Sequence, residues 1–351
     1  MPKLDPDHYS MILPLFQRLS AFHLCGWAVV NRAAPGEVWV DDVDHPHVAV
    51  VEASEGCYLV GDPGYTPAYA AIMEAIPTFA YLICDPTEWE QLLHLVWSNP
   101  AARRHAREHY TFRGLPAPSW RERVPEGMHL MPVNADFLQL EHLENFSSIN
   151  AWVGGWRSRE DFFQRGAGAA LVQGNTITSW SMMDCALDDR CEIGVITDMR
   201  FRRRGLGKLV VSAVLEDCLS RGYREVGWQC LHNNTGSKAI ARGVGFEKER
   251  DYLAFSGFLP AESAGDLTTA EWADWGEHYE RFLPEPTWAF MAVQAWSMAG
   301  QLERALENLR LLNQIDWKPR PEWVNGNWRL DPLRSNEEAR SFLSLPNNAT
   351  E

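Results

Sequence analysis

The residues best suited to chemistry lie in one run, Glu192-Ile193-Gly194-Val195-Ile196-Thr197-Asp198-Met199-Arg200-Phe201-Arg202-Arg203-Arg204-Gly205-Leu206-Gly207-Lys208. A β-branched strand leads into a basic, glycine-containing turn, and the turn opens a helix. Leu206, Val210, Val214 and Cys218, supported by Leu209 and Ala213, give that helix an apolar stripe, and Gly222 stops it. Main-chain N–H groups at a helix start lack partners within the helix, and glycine lets an anion approach them closely. Phosphate gains there from the helix dipole, about half a positive charge, and from several donors at once. The side chains of Arg202, Arg203, Arg204 and Lys208 suit a pyrophosphate that carries an added ribose phosphate. An ordinary strand–helix turn uses the same glycines, so residues further along must decide.

They do. Arg202-x-x-Gly205-x-Gly207 resembles the Q/R-x-x-G-x-G/A acyl-CoA loop of the GNAT N-acetyltransferase superfamily. After the helix and the strand Val226-Gly227-Trp228-Gln229-Cys230 comes Asn234-x-x-Ser237-x-x-x-Ala241-x-x-x-Gly245-Phe246. That segment resembles the superfamily's N-x-x-A…Y…GF stretch. The glutamate-led strand and Ser237 look closest to the zwittermicin-resistance-type branch. The resemblance covers about 128–258 well and the N-terminal half more loosely.

The resemblance implies roles for single positions. Main-chain groups of Val195, Ile196 and Thr197 would pair with the pantetheine arm of acetyl-CoA like an added strand. One of these amides, with Val195 favoured, would face the thioester oxygen as an oxyanion donor. Amides from Arg203 to Lys208, Leu206 among them, would hold the pyrophosphate, and Asn234 and Ser237 would line the cofactor. An amine acceptor must shed a proton, since a lysine-like amine has a pKa of about 10.4. Glu192 occupies the family's catalytic-glutamate position, with Asp184 and Asp198 as the other candidates; a solvated strand-end glutamate is the alternative. Where many members carry a tyrosine that protonates the departing thiolate, this chain has Ala241. Either no side-chain acid is needed, or Ser237 or a water substitutes, or the domain binds CoA without efficient turnover. Tyr252 is a remote candidate.

These residues need a scaffold, and 351 residues at roughly 100–200 per domain imply two or three domains. Residues 1–124 read as a degenerate GNAT-like domain and linker. In order come a helix near Leu13 to Leu19; apolar or alternating, strand-like runs Leu24–Val30, Val38–Val40, Val48–Glu52 and Cys57–Val60; and a helix opened by Thr66-Pro67. A strand Phe79–Cys84 and a helix capped by Thr87 follow. Arg113 to Ser119 is a linker. Residues 125–260 repeat a similar order as the acetyl-CoA-binding catalytic domain: a helical region Asp136–Phe146, a helix from Ser158, strands Gly168–Val172, Ile177–Met183 and Glu192–Thr197, then the elements above and a strand near Tyr252. Residues 261–351 form a helical, tetratricopeptide-like extension, with helices capped at Thr268 and begun at Thr287 and a turn at Gly300. The expected fold is therefore α/β (α+β), two GNAT-like mixed-sheet halves plus helices.

The first half lacks the chemistry of the second. Its corresponding loop, Gly61-Asp62-Pro63-Gly64-Tyr65-Thr66, has no leading Arg or Gln, brings a negative charge, and loses an amide at Pro63. It should fold without holding CoA and wall the acceptor cleft.

Composition narrows the rest. With 46% apolar and 23% charged residues the chain is globular, and its net charge of −15 disfavours a nucleic-acid partner. Seven cysteines without a C-x-x-C pair read as buried thiols in a cytoplasmic protein, neither disulfide frame nor zinc site. No segment suits a membrane span, and no metal is expected. His105-Ala106-Arg107-Glu108-His109 matches an inverted zinc-peptidase pattern but reads as a solvated charged helix. The expected activity is acetyl transfer from acetyl-CoA to a primary amine of a small molecule or peptide by direct attack. The rivals are a non-catalytic acyl-CoA sensor and an adaptor that meets protein partners through the C-terminal helices.

Overall fold

A similar order of elements runs twice through the chain up to Ser256. First come α1 (Leu13–Phe16), α2 (Leu24–Val30), β1 (Glu37–Val40), β2 (Val48–Ala53), β3 (Gly56–Gly61), α3 (Tyr69–Ala75), β4 (Leu82–Asp85), α4 (Leu93–Val96) and β5 (Arg103–Phe112). A short strand, β6 (His129–Pro132), opens the second pass. Then follow α5 (Phe146–Gly154), α6 (Arg159–Arg165), β7 (Gly168–Gln173), β8 (Thr176–Leu187), β9 (Arg190–Thr197), α7 (Leu206–Ser220), β10 (Glu225–Leu231), α8 (Thr235–Val244) and β11 (Glu247–Ser256). This computed structural model describes residues 1–17, 19–116 and 118–343. Ala117 of the linker and 344–351 of the C-terminal extension lie outside the described residues.

The eleven strands make one sheet in the order β1-β2-β3-β4-β11-β5-β10-β9-β8-β7-β6. The two halves exchange their last strands: β11 lies beside β4, and β5 pairs antiparallel with β10 from Phe112↔Val226 to Arg107↔Leu231. The tandem fold is thereby one mixed sheet, continuous across the connection that contains residue 124. The chain divides into two compact units, Met1–Ser98 with Arg104–Phe255, and Asn99–Arg103 with Ser256 onward.

The stripe on α7 packs as its spacing predicts. Leu206, Val210, Val214 and Cys218 are buried, and α7 lies on β7, β8 and β9. Each of the leucine and valine side chains contributes roughly 1.5–3 kcal/mol by leaving water.

Several expectations fail for identifiable reasons. Leu24–Val30 is a helix, because an unbroken apolar run carries no period that separates a buried strand from a buried helix. Thr66 and Thr87 start 3-10 turns that lead into α3 and α4. The region Asp136–Phe146 holds only a 3-10 turn, Phe137–Gln139, and the helix begins at Phe146. His105 to His109 lie in β5, between β11 and β10, with His105, Glu108 and His109 all buried. Their charges find partners across the sheet: Glu108 meets His232 and Lys248, and Arg107 meets Glu55. Burial holds His109 down to about 4.

The second unit is helical beyond Ser256: α9 (Thr269–Glu280), α10 (Pro286–Met298), α11 (Leu302–Gln314), α12 (Pro321–Val324) and α13 (Glu337–Leu343). Thr268 and Glu271 close the capping box over α9, whereas α10 begins at Pro286, one residue before Thr287, with Glu285 as its cap. Gly300, at φ +71°, turns α10 into α11. A Cβ on Gly276 would overlap the buried Trp296 ring. Exchanging a helical glycine for alanine ordinarily gains about 1 kcal/mol, but overpacking costs about 1–3 kcal/mol. Gly276→Ala should therefore lower the thermal midpoint, read by calorimetry; a raised midpoint would contradict this packing. Among the described residues no helix is long and apolar enough to cross a membrane.

Candidate active site

The turn before α7 satisfies its first amides and leaves the next five without an acceptor among the described residues. Asp198 accepts from the amide of Arg200, and the amides of Phe201 and Arg202 close on Asp198 and Met199. Arg203 and Gly205 then take left-handed conformations, φ +64° and +80°. The amides of Arg203, Arg204, Gly205, Leu206 and Gly207 have no acceptor among the described residues, while that of Lys208 returns to the Gly205 carbonyl at 3.1 Å. The cradle is thus one donor shorter than the expected span to Lys208. A Cβ on Gly205 would meet nothing within 4 Å, so the space over the cradle is open.

Its cations differ in reach. Arg202 turns back to the Thr197 carbonyl at 3.1 Å, whereas Arg203, Arg204 and Lys208 are exposed. Lys208 lies across α8 at Gly243, where a Cβ would strike its side chain. Arg200 is bound by Asp198 and Glu144.

Beside the cradle the sheet opens. β9 and β10 pair in parallel only from Arg190↔Glu225 to Glu192↔Gly227, while β8 stays paired with β9 as far as Thr197. Among the described residues, Ile193 to Thr197, including Val195 and Ile196, therefore have no strand partner on the β10 side. Glu192 stands at the apex, and Gly227 makes room for it, since a Cβ there would lie 2.9 Å from the Glu192 Cγ. Far from solvated, Glu192 is buried, receives Gln229 Nε2 on Oε1 at 2.8 Å and faces Cys25 Sγ at 3.5 Å. Burial, reinforced by the carboxylate of Glu55, holds its carboxyl well above the usual range. Gln229 also reaches Glu55 at 3.0 Å and so bridges the two carboxyls. A narrow cavity lined by Phe22, Leu24, His109 and Gly227 reaches Glu192, with room for one water-sized group.

A family model for GNAT acetyltransferases matches residues 15–255, more than half of the chain. The chain belongs to the GNAT acetyltransferase family. The uncharacterized N-acetyltransferase YdfB of Bacillus subtilis (strain 168) is 22% identical over 238 residues, covering 65% of this chain and 88% of that one. A GCN5-related N-acetyltransferase-like protein from Streptococcus suis 89/1591 superposes with a TM-score of 0.56 at 20% identity, covering 71% of this chain and 98% of its own. That last likeness concerns the fold. The GNAT match makes the chain an acyltransferase of a family whose general donor is acetyl-CoA.

The other expected GNAT site residues divide. Asp184 lies on the same face as Glu192, beside Gly194 and the Trp152 ring, and burial pushes its carboxyl up to about 7. Asp198 does not join them: Arg200 holds its carboxylate below the usual range, which unsuits it as a base. Asn234 caps α8 by accepting from the Ser237 amide at 2.9 Å, and the Ser237 hydroxyl accepts from Trp228 Nε1 at 3.0 Å. Ala241 is fully buried, so that turn of α8 offers no acid. Tyr252 bonds Gln229 and Glu55, in the cluster around Glu192.

Sequence reasoning missed Cys25, Glu55, Arg107 and Gln229. A lone amide inside the apolar strand Gly227-Trp228-Gln229-Cys230 was a usable signal for Gln229; Glu55, in a hairpin turn, carried none.

The corresponding loop of the first half offers no such donors. From Asp62 to Ala68 every amide is taken up: Asp62 by His47 O, Gly64 by the Asp62 carboxylate at 2.8 Å, Tyr65 by Asp62 O, Thr66 by Gly64 O and Ala68 by Tyr65 O. Pro63 and Pro67 have none to give.

Proposed function

We propose that the second half transfers acetyl from acetyl-CoA to a primary amine of a small molecule or peptide by direct attack. The observation that carries this is the set of five unpartnered amides at Arg203–Gly207 beside an opened sheet with a buried carboxyl at its apex. Those amides would hold the pyrophosphate, with Arg203, Arg204 and Lys208 nearby, and the free edge at Val195–Thr197 would take the pantetheine arm as an added strand. The Val195 amide would face the thioester oxygen.

Glu192 would take the amine's proton. Its raised pKa suits that task, because a more basic carboxylate accepts a proton from an amine more readily than an ordinary one. Asp184 is the neighbouring carboxyl that would share the proton. Ser237 would protonate the leaving thiolate in place of the side chain absent at Ala241. Glu55, from the first half, would wall the acceptor side. Membership of the zwittermicin-resistance-type branch rests on Glu192 and Ser237 and remains part of this proposal, as do the division at 124 and 260 and a partner role for the later helices.

A panel of primary amines with acetyl-CoA, followed by release of the CoA thiol and the mass of the acetylated product, tests the assignment. Turnover should fall as pH falls through the raised pKa of Glu192, because protonation removes the base. Thiol release without any N-acetylated product would count against it.

A further inference from the structure

Two thiols meet beside Glu192. Cys25 comes from α2 and Cys185 from β8, 160 positions apart, and their sulfurs lie 2.8 Å from one another. Both are buried, and the first half supplies one while the second supplies the other. Their separation lies nearer a disulfide bond, about 2.05 Å, than the roughly 3.8 Å that two thiolates on a tetrahedral zinc would keep. Cys185 is also the cross-strand partner of Glu192, at an irregularity in the β8–β9 register between Met183 and Cys185. Cys25 directs its thiol at the Glu192 carboxyl.

We propose that Cys25 and Cys185 form a reversible disulfide, made by hydroperoxide and undone by a dithiol, which lowers activity by changing the surroundings of Glu192. One thiol, as its thiolate, attacks the peroxide oxygen and becomes a sulfenic acid, releasing water. The second thiol displaces the remaining oxygen as water and closes the S–S bond. Two thiols thus give up two electrons and two protons, and hydrogen peroxide becomes two waters. The bond removes the S–H that faces Glu192 and ties α2 to β8. The contact between the sulfurs, and after it burial, raise the Cys25 thiol well above its usual range, so the reaction is slow and follows transient opening of α2. The bond itself rests on the thiol geometry; its effect on turnover rests on the role proposed for Glu192.

The test uses the full chain exposed to hydrogen peroxide, then denatured and alkylated, with intact mass and peptide mapping. Five of the seven cysteines should alkylate, and one cross-linked peptide pair should contain Cys25 and Cys185. After dithiothreitol all seven should alkylate. Turnover should drop at least tenfold on oxidation and return on reduction. Cys185→Ala should keep its turnover through the same treatment, with Cys185→Ser as the second variant if alanine unsettles the fold. Seven alkylated thiols after peroxide, a cross-link between other cysteines, or one tightly bound zinc per chain would overturn the bond. A Cys25–Cys185 cross-link with unchanged turnover would overturn the switch while leaving the bond in place, and mass alone decides the bond even in a chain that acetylates nothing.

Discussion

Glu192→Gln should lower turnover roughly 10²-fold or more, leave CoA affinity nearly unchanged, and make the protein no less stable at neutral pH. The stability sign follows from linkage. Glu192 is raised in the folded chain, so above the ordinary carboxylate pKa the unfolded chain is ionised there while the folded one keeps its proton. Stability then falls as pH rises from the unfolded pKa toward the folded one. Glutamine removes that penalty and keeps the shape beside Gln229 and Cys25. A paired loss of turnover and gain in thermal midpoint marks a carboxyl kept for chemistry at a cost in stability. Near-native turnover would move the base to Asp184, which Asp184→Asn then tests.

Gly205→Val should weaken CoA binding roughly 100-fold, about 2.7 kcal/mol. Two effects add. A left-handed φ of +80° strains any residue with a Cβ, by roughly 1–2 kcal/mol and more for a β-branched one. The added side chain would also enter the open space over the five amides, which is where the phosphates are proposed to lie. Gly64→Val, in the first half's loop, should leave CoA affinity unchanged. Calorimetry on both variants reads the contrast, and equal affinities for Gly205→Val and the native chain would remove the cradle from the account.

How much of this was legible beforehand depended on whether local pattern or distant partners decided the structure. The elements from Gly168 to Phe246 could be read because strand alternation, a helical stripe, a positive-φ glycine and an asparagine cap are local signals, and packing agreed with each. Leu24–Val30 and His105–His109 could not. An apolar run lacks a period, and a strand bearing Arg107 and Glu108 reads as surface until Glu55, His232 and Lys248 arrive from elsewhere to neutralise it. The exchange of β5 and β11 between the halves has no local signature, because each strand looks the same whichever partner it takes. For the same reason the cradle and Glu192 were visible as positions, whereas the burial of Glu192 was not. It depends on Cys25 from α2, Glu55 from the hairpin and Gln229 from β10, residues that share no motif.

The central claim is that one GNAT half holds the donor and the other has lost the means to do so. Titrating the native chain with CoA in a calorimeter tests it most directly. One site per chain, with heat lost in Gly205→Val, is the result predicted here. Two equivalent sites, or one site that survives Gly205→Val and vanishes when the Gly61–Thr66 loop is changed, would contradict it.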